Sequence, residues 1–487
     1  MVHFISLWSV ALVAVCSLMV AVESKEVVCY YGTWATYRQG NGKFATENID
    51  PFLCTQLNYA FFDINPDGSI RIPDEYLALP SGLNAIGKFY ELKQRNPALK
   101  TVAAIGGWNA GTANFRTVAA NPQLRATFAR NAVSFLQQYR FDGMDIDWEY
   151  PTAADKSNFV LFLRELASSF APYNYLLTVA VAAPEATANE AYDIPAISSI
   201  VSYINLMTYD MHGNYGVTRH QAPVNQGPAS IDDSDYKRQL NVEAVVKYWL
   251  SRGAAASKLT LGIPLYGRTF KLSNPSVDGV GAPTSGVGTP GPYTQEAGSL
   301  GYNEICESSW PRKLFDSVQI AAYASGNGQW VSYDSVDVVN QKCNVIAKYG
   351  LGGGMVWSIE QDDFRGVCGP KFTLLSTLNR CVNNNGPPSA STSTTQTLLV
   401  SSSTKRVAST TTTTKHTTTA APITTTIAAT PGSGSFVCPR DGYFRDPSNC
   451  NKYYRCYSGY KYEFNCPSGL YFNEEKLTCD WPYNVKC

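Results

Sequence analysis

Eight short apolar runs along one long stretch of chain constrain the fold more than any other feature. They are Val27–Trp34, Thr55–Phe62, Lys100–Gly106, Gly143–Tyr150, Leu176–Ala183, Val201–Tyr209, Leu259–Tyr266 and Gly354–Ile359. Several of the intervals between them are amphipathic. In NPQLRATFARNAVSFLQQYR, Leu124, Phe128, Val133, Phe135 and Leu136 recur near helical spacing. Strand–helix alternation repeated eight times predicts the α/β class, a (β/α)8 barrel over 25–382 rather than a sandwich. The interval between the seventh and eighth runs is too long for one helix and contains SNPSVDGVGAPTSGVGTPGPY. It is expected to form a small α+β insertion over about 268–340.

The ends of the chain differ from this body. Residues 1–24 hold an apolar run followed by small and polar residues, the pattern of a secretory signal peptide. No later stretch is long and apolar enough to span a bilayer. Residues 383–435 are Ser, Thr, Pro and Ala in runs such as STTTTTKHTTTAAPITTT. They cannot bury enough apolar surface to offset the entropy of ordering, so they are expected to be a linker, and in a secreted protein an O-glycosylated one. Residues 436–487 then carry six cysteines and a dense set of aromatics. A module this small needs disulfide staples.

Cysteine arithmetic fits a secreted chain. Of 13 cysteines, Cys16 falls in the leader. The remainder divide evenly between body and tail, which reads as disulfides. No CxxC pair occurs and His is scarce, which argues against zinc. Lys+Arg and Asp+Glu both total 39, so no basic excess points to nucleic acid.

The strongest chemical signal is FDGMDIDWEYP. Asp145, Asp147 and Glu149 alternate with Met144, Ile146 and Trp148. A strand of period two puts the three acids on one face, and in a barrel that face is the lumen. Glu149 falls toward the C-terminal end, where barrel active sites lie. Crowded acids push one another's pKa values apart, leaving one protonated near neutrality and fit for acid catalysis. A hard-cation site and a solvated polar face remain open readings of the same spacing.

FDGMDIDWEYP resembles the signature of the family-18 glycoside hydrolases, the chitinases and their lectin relatives. CYYGTWATYR, AIGGW, MTYD, PLYGRTF and GGGMVWSIEQDDF resemble that family's first, third, sixth, seventh and eighth strands, in order. The resemblance implies a secreted chitinase that needs no cofactor and acts as a monomer on chitin and chito-oligosaccharides. It implies retaining, substrate-assisted hydrolysis of β-1,4 links between N-acetylglucosamine units. Glu149 is then the general acid. Asp147 orients the substrate acetamido group, Asp145 shares a proton with Asp147, Asp142 is structural, and Tyr209 bonds the acetamido carbonyl. Trp357 is expected under the sugar at the cleavage site. Trp34 and Trp108 line the non-reducing side, while Met207, Asp210, Tyr150, Tyr266 and Arg268 contact sugar. Many relatives carry Trp where this chain has Tyr215, a smaller platform on the leaving side. Lectin-like members typically lack the acid that Glu149 supplies.

The tail segments DPSNCNKYYRC and LYFNEEKLTCDWP resemble the peritrophin-A type chitin-binding domain. That resemblance implies pairs Cys438–Cys456, Cys450–Cys487 and Cys466–Cys479. In the body, Cys29, Cys54, Cys306 and Cys368 are expected in disulfides, with the pairing of Cys343 and Cys381 open.

Overall fold

The computed structural model describes residues 25–213, 216–383, 436–440, 442–457, 460–466, 471–474, 478–480, 482 and 485–486. The segments read as a signal peptide and, beyond Asn383, as a linker lie outside the described residues. So do Tyr215, Cys487 and the side chain of Cys479. The chain divides into two compact units, one ending at Thr394 and one beginning at Thr395.

The larger unit is a closed barrel. Its parallel strands are Glu26–Gly32, Gln56–Ile64, Lys100–Gly106, Gly143–Asp147, Leu176–Ala182, Tyr203–Met207, Leu259–Pro264 and Gly353–Trp357. Each pairs with the next in chain order, and the eighth returns to the first from Glu26↔Gly353 to Cys29↔Val356. Helices such as Pro122–Tyr139, Lys156–Phe170 and Val242–Ser251 carry the chain back between strands. The first of these starts where it should. Asn121 caps it, its side chain accepting from the amides of Gln123 and Leu124, and Pro122 fills the first turn.

Packing decides which way the fourth strand faces. Met144, Ile146 and Trp148 bury outward in the core between strands and helices. The Trp148 ring stacks on Phe115 at 5.4 Å, and its Nε1 donates to Thr112 Oγ1 at 2.6 Å. Each such burial contributes roughly 1.5–3 kcal/mol. A slip of one residue would exchange these side chains with the acids, so Asp145 and Asp147 are held in the lumen. A small apolar cluster of Val28, Tyr30, Ala60, Ala104, Ala180 and Met355 fills the lumen beside them.

The lobe between the seventh and eighth strands runs from Tyr266 to Tyr333, so helix Val336–Lys348 belongs to the barrel rather than to the lobe. Its antiparallel sheet has the order Thr284–Val287, Tyr266–Leu272, Gln329–Tyr333, Ala321–Gly326, Arg312–Asp316. Three disulfides brace this unit. Cys29–Cys54 ties the first strand to the approach of the second, and Cys306–Cys368 ties the lobe to the segment after the eighth strand. Cys343–Cys381, the pair that the sequence leaves open, joins helices Val336–Lys348 and Thr373–Asn383.

The smaller unit has a three-stranded antiparallel sheet, Gly442–Arg445, Lys452–Tyr457 and Tyr460–Asn465, and a hairpin of Tyr471–Asn473 with Thr478–Asp480. Cys438 pairs with Cys456, and Cys450 and Cys466 are disulfide-bonded as well. Tyr453 stacks between Phe464 at 5.3 Å and Phe472 at 4.1 Å. With so little chain to bury, stacked rings and disulfides take the place of an aliphatic core.

Candidate active site

The C-terminal rim of the barrel gathers the side chains singled out in the sequence. Asp145 lies deepest and is fully buried. Tyr30 Oη donates to its Oδ2 at 2.7 Å, while Thr178 Oγ1 and Asn205 Nδ2 donate to its Oδ1 at 2.5 and 3.1 Å. Thr260 Oγ1 donates in turn to Asn205 Oδ1 at 2.7 Å, which fixes the amide's orientation. Strands one, five and six thus converge on one carboxylate, and strand seven fixes the donor from strand six. Burial pushes Asp145 up to about 6, against the three hydrogen bonds that favour its charged form. These partners were not singled out in the sequence. The period-two reading applied to the neighbouring strands puts Asn205, two residues before Met207, and Thr178, opposite Asp145 in register, on the lumen face, but it does not show that they meet at Asp145.

Asp147 is one layer higher and also buried, and its Oδ1 has no hydrogen-bond partner among the described residues. Burial, then Glu149, then Asp145 push it well above the usual carboxylate range. Asp145 acts on it through charge, its own oxygens being taken by other strands. Glu149 does not lie on the strand, which ends at Asp147. It sits two residues beyond, on the loop over the lumen. Burial pushes it up to about 7, with Asp210 adding to the shift. A hydrogen bond with the Tyr150 phenol and one from the Trp108 amide oppose it. The donors around Asp145 suit an anion, not a hard cation competing for the same lone pairs.

The third strand ends in the double glycine of AIGGW for a steric reason. A Cβ on Gly106 would lie 2.1 Å from Asp147 O, and one on Gly107 would lie 2.5 Å from the Phe61 ring. Both residues have positive φ, and Gly107 N donates to Asp147 O at 2.9 Å. The turn delivers Trp108 to the rim, 60% exposed.

Aromatic rings wall the rest of the cleft. Trp357 ends the eighth strand, half-buried, with Tyr30 at 5.4 Å, Phe61 stacked at 5.6 Å and Trp34 at 6.1 Å. Trp34 is 43% exposed. Tyr209 and Met207 pack on the lumen cluster, and the Tyr209 ring meets Tyr266 edge-on at 6.1 Å. Asp210 is exposed and holds a left-handed φ of 54°, a conformation that clusters at functional sites. Arg268 grips it with two hydrogen bonds of 2.6 Å and lies 5.1 Å from the Tyr266 ring. The structure therefore brings Glu149, Asp147, Asp145, Tyr150, Tyr209, Met207, Asp210, Tyr266, Arg268, Trp108, Trp34 and Trp357 to one end of the barrel. Asp142 lies at the other end.

Comparison with known proteins agrees with this geometry. Residues 26–362 match the glycosyl hydrolases family 18, and residues 438–487 match the chitin binding Peritrophin-A domain. The chain is 33% identical to chitotriosidase-1 of Mus musculus over 94% of its own length and 96% of the relative's. It is 35% identical to probable chitinase 10 of Drosophila melanogaster over 96% of its length, spanning only 21% of that larger protein. Among solved structures, the Group IV chitinase of Ostrinia furnacalis in complex with allosamidin is similar, with a TM-score of 0.71 and 43% identity. That likeness covers 74% of this chain and all of the other. The chain belongs to family 18 of the glycosyl hydrolases and is a chitinase whose catalytic barrel is followed by a peritrophin-A chitin-binding domain.

Proposed function

We propose that the chitinase is secreted and cleaves β-1,4 links of chitin with retention, the acetamido group of the substrate serving as nucleophile. The observation that carries this reading is the graded acid column in the lumen. Asp145 is locked by three donors, Asp147 keeps one oxygen unpartnered, and Glu149 is raised to about 7 at the rim.

The steps follow from these groups. Glu149, protonated near neutral pH, gives its proton to the glycosidic oxygen as the bond to the anomeric carbon breaks. The acetamido carbonyl oxygen attacks that carbon and closes a cationic oxazolinium ring. Asp147 accepts the acetamido N–H on its open oxygen, aiming the carbonyl and stabilising the cation. Asp145 beneath shares Asp147's proton, taking it up as the cation forms so that the negative charge stands on Asp147. Tyr209 donates to the acetamido carbonyl, and Trp357 lies under the sugar ring. Water then attacks the anomeric carbon and gives a proton to Glu149, while the bond from that carbon to the acetamido oxygen breaks and restores the acetamide, so configuration is retained.

The chitin-binding domain raises the enzyme's concentration at an insoluble surface. The test is release of soluble oligomers from colloidal chitin by the full chain and by Glu149→Gln. Loss of activity by about 10²–10⁴-fold with chitin binding retained supports the general-acid role. A variant that still turns over removes it.

A further inference from the structure

Strands one and eight close the barrel, yet their pairing stops short of the cleft. The last matched residues are Cys29 and Val356. Above that level Gly32 and Trp357 end the two strands, and each leads to an indole of the cleft wall: Trp34 two residues after Gly32, and Trp357 itself. The side chain of Glu360 spans this opening and is completely buried. Its Oε2 accepts from Gly32 N at 3.0 Å, and its Oε1 accepts from Ser358 Oγ at 2.5 Å. Arg38 approaches to 4.0 Å. A Cβ on Gly32 would lie 2.5 Å from Glu360 Oε1 and 2.8 Å from Trp34 Cζ2, so the missing side chain makes room for the carboxylate and the indole together.

We propose that Glu360 is a positioning residue for the non-reducing half of the cleft. It clamps the ends of strands one and eight so that Trp34 and Trp357 keep their spacing of 6.1 Å and tilt of 40°. This rests on the reading that both indoles face the sugar chain. A buried carboxylate is costly unless its lone pairs are used, and two of the donors used here belong to the segments that carry those two rings. The two rings do not depend on the clamp equally. Trp357 has other ties, because Leu265 N donates to its carbonyl at 2.8 Å and Gln361 Nε2 holds Ser358 Oγ at 2.9 Å. Trp34 rides on the short turn Thr33–Tyr37, held otherwise by Thr33 Oγ1 donating to Ala60 O at 2.8 Å and Phe44 N donating to Ala35 O at 3.0 Å, and as the more exposed ring it is expected to shift more when the clamp is cut.

The experiment compares kinetics on the soluble hexamer of N-acetylglucosamine with kinetics on a chromogenic disaccharide glycoside too short to reach Trp34. For Glu360→Ala, KM for the hexamer is expected to rise about tenfold with kcat within about twofold, and the disaccharide glycoside to be unaffected. Glu360→Gln keeps an acceptor for Gly32 N and should restore hexamer KM to within about threefold. An equal loss on both substrates, or no loss on either, overturns the proposal. Trp34→Ala separates it from the reading beneath. If that variant leaves hexamer KM unchanged, Trp34 is not a sugar platform. If it raises KM while Glu360→Ala does not, the platform stands and the clamp falls.

Discussion

The two ends of the fourth barrel strand treat the same chemical group in opposite ways. At the entrance, Asp142 forms an ion pair with Lys93 and accepts from Thr101 N at 2.9 Å. At the exit, Asp147 is buried and Glu149 half-buried, with no cation among their hydrogen-bond partners in the described residues, and the nearby charges that act on them are other acids. Arg268, on the same rim, is turned to Asp210 by a two-point grip. Few residues separate a neutralised carboxylate from a poised one. Both ends carry carboxylates on one short run of chain. What differs is which side chains the rest of the barrel brings alongside. A carboxylate paired with a lysine helps hold the barrel together, whereas one without a cationic partner stores proton affinity that a reaction can draw on.

Removing charge is expected to hurt chemistry at the exit and stability at the entrance. Beyond Glu149 itself, the largest effect is expected for Asp147→Asn. The amide keeps the volume and a carbonyl acceptor but loses the negative charge facing the cation. Turnover on soluble chito-oligosaccharides should fall about 10²-fold with the fold intact. A loss of under about threefold would mean that Asp147 merely fills space.

The pH dependence sharpens the contrast next. Glu149 works when protonated, and burial has moved it up to about 7. The value of kcat/KM should therefore be sustained below that pH and fall about tenfold per unit above it. Because Asp210 contributes to the shift, Asp210→Asn should move this alkaline limb to lower pH by about half a unit. The sign for stability follows from the same shift. A carboxyl whose folded pKa exceeds its unfolded value destabilises the fold as pH rises through the folded value. Glu149→Gln should thus melt at a higher temperature than the parent at pH 8 and at the same temperature at pH 4. A mutant that melts at the parent's temperature at both values would show that Glu149 carries no such burden.

Much of this was legible beforehand, for a physical reason. Strand periodicity and barrel closure are local and repetitive, so the eight runs, the outward burial of Met144, Ile146 and Trp148 and the inward column of acids follow from spacing alone. What spacing could not reveal are contacts made across the barrel. Nothing in the chain near Asp145 announces that Tyr30, Thr178 and Asn205 will meet there, or that Glu360 will reach back to Gly32. The end of the fourth strand was misplaced because an alternating pattern continues through Trp148 and Glu149 after the ladder stops. Glu149 therefore hangs over the lumen from a loop rather than projecting from the sheet. The lobe ran long in the reading because its final strand, Gln329–Tyr333, leads almost directly into the barrel helix Val336–Lys348.

The smallest effect belongs to the entrance. Asp142→Asn removes the ion pair with Lys93 but leaves an oxygen to accept from Thr101 N. Lys93 is partly exposed, so water recovers most of what the pair contributes, and the loss should be about 1–2 kcal/mol. That would lower the urea midpoint of the catalytic unit without changing kcat or the alkaline limb of the folded enzyme. The outcome that breaks the comparison is a kinetic one. If Asp142→Asn shifts the limb as Asp210→Asn does, then charge is felt along the whole strand, and the division into a structural end and a chemical end is wrong.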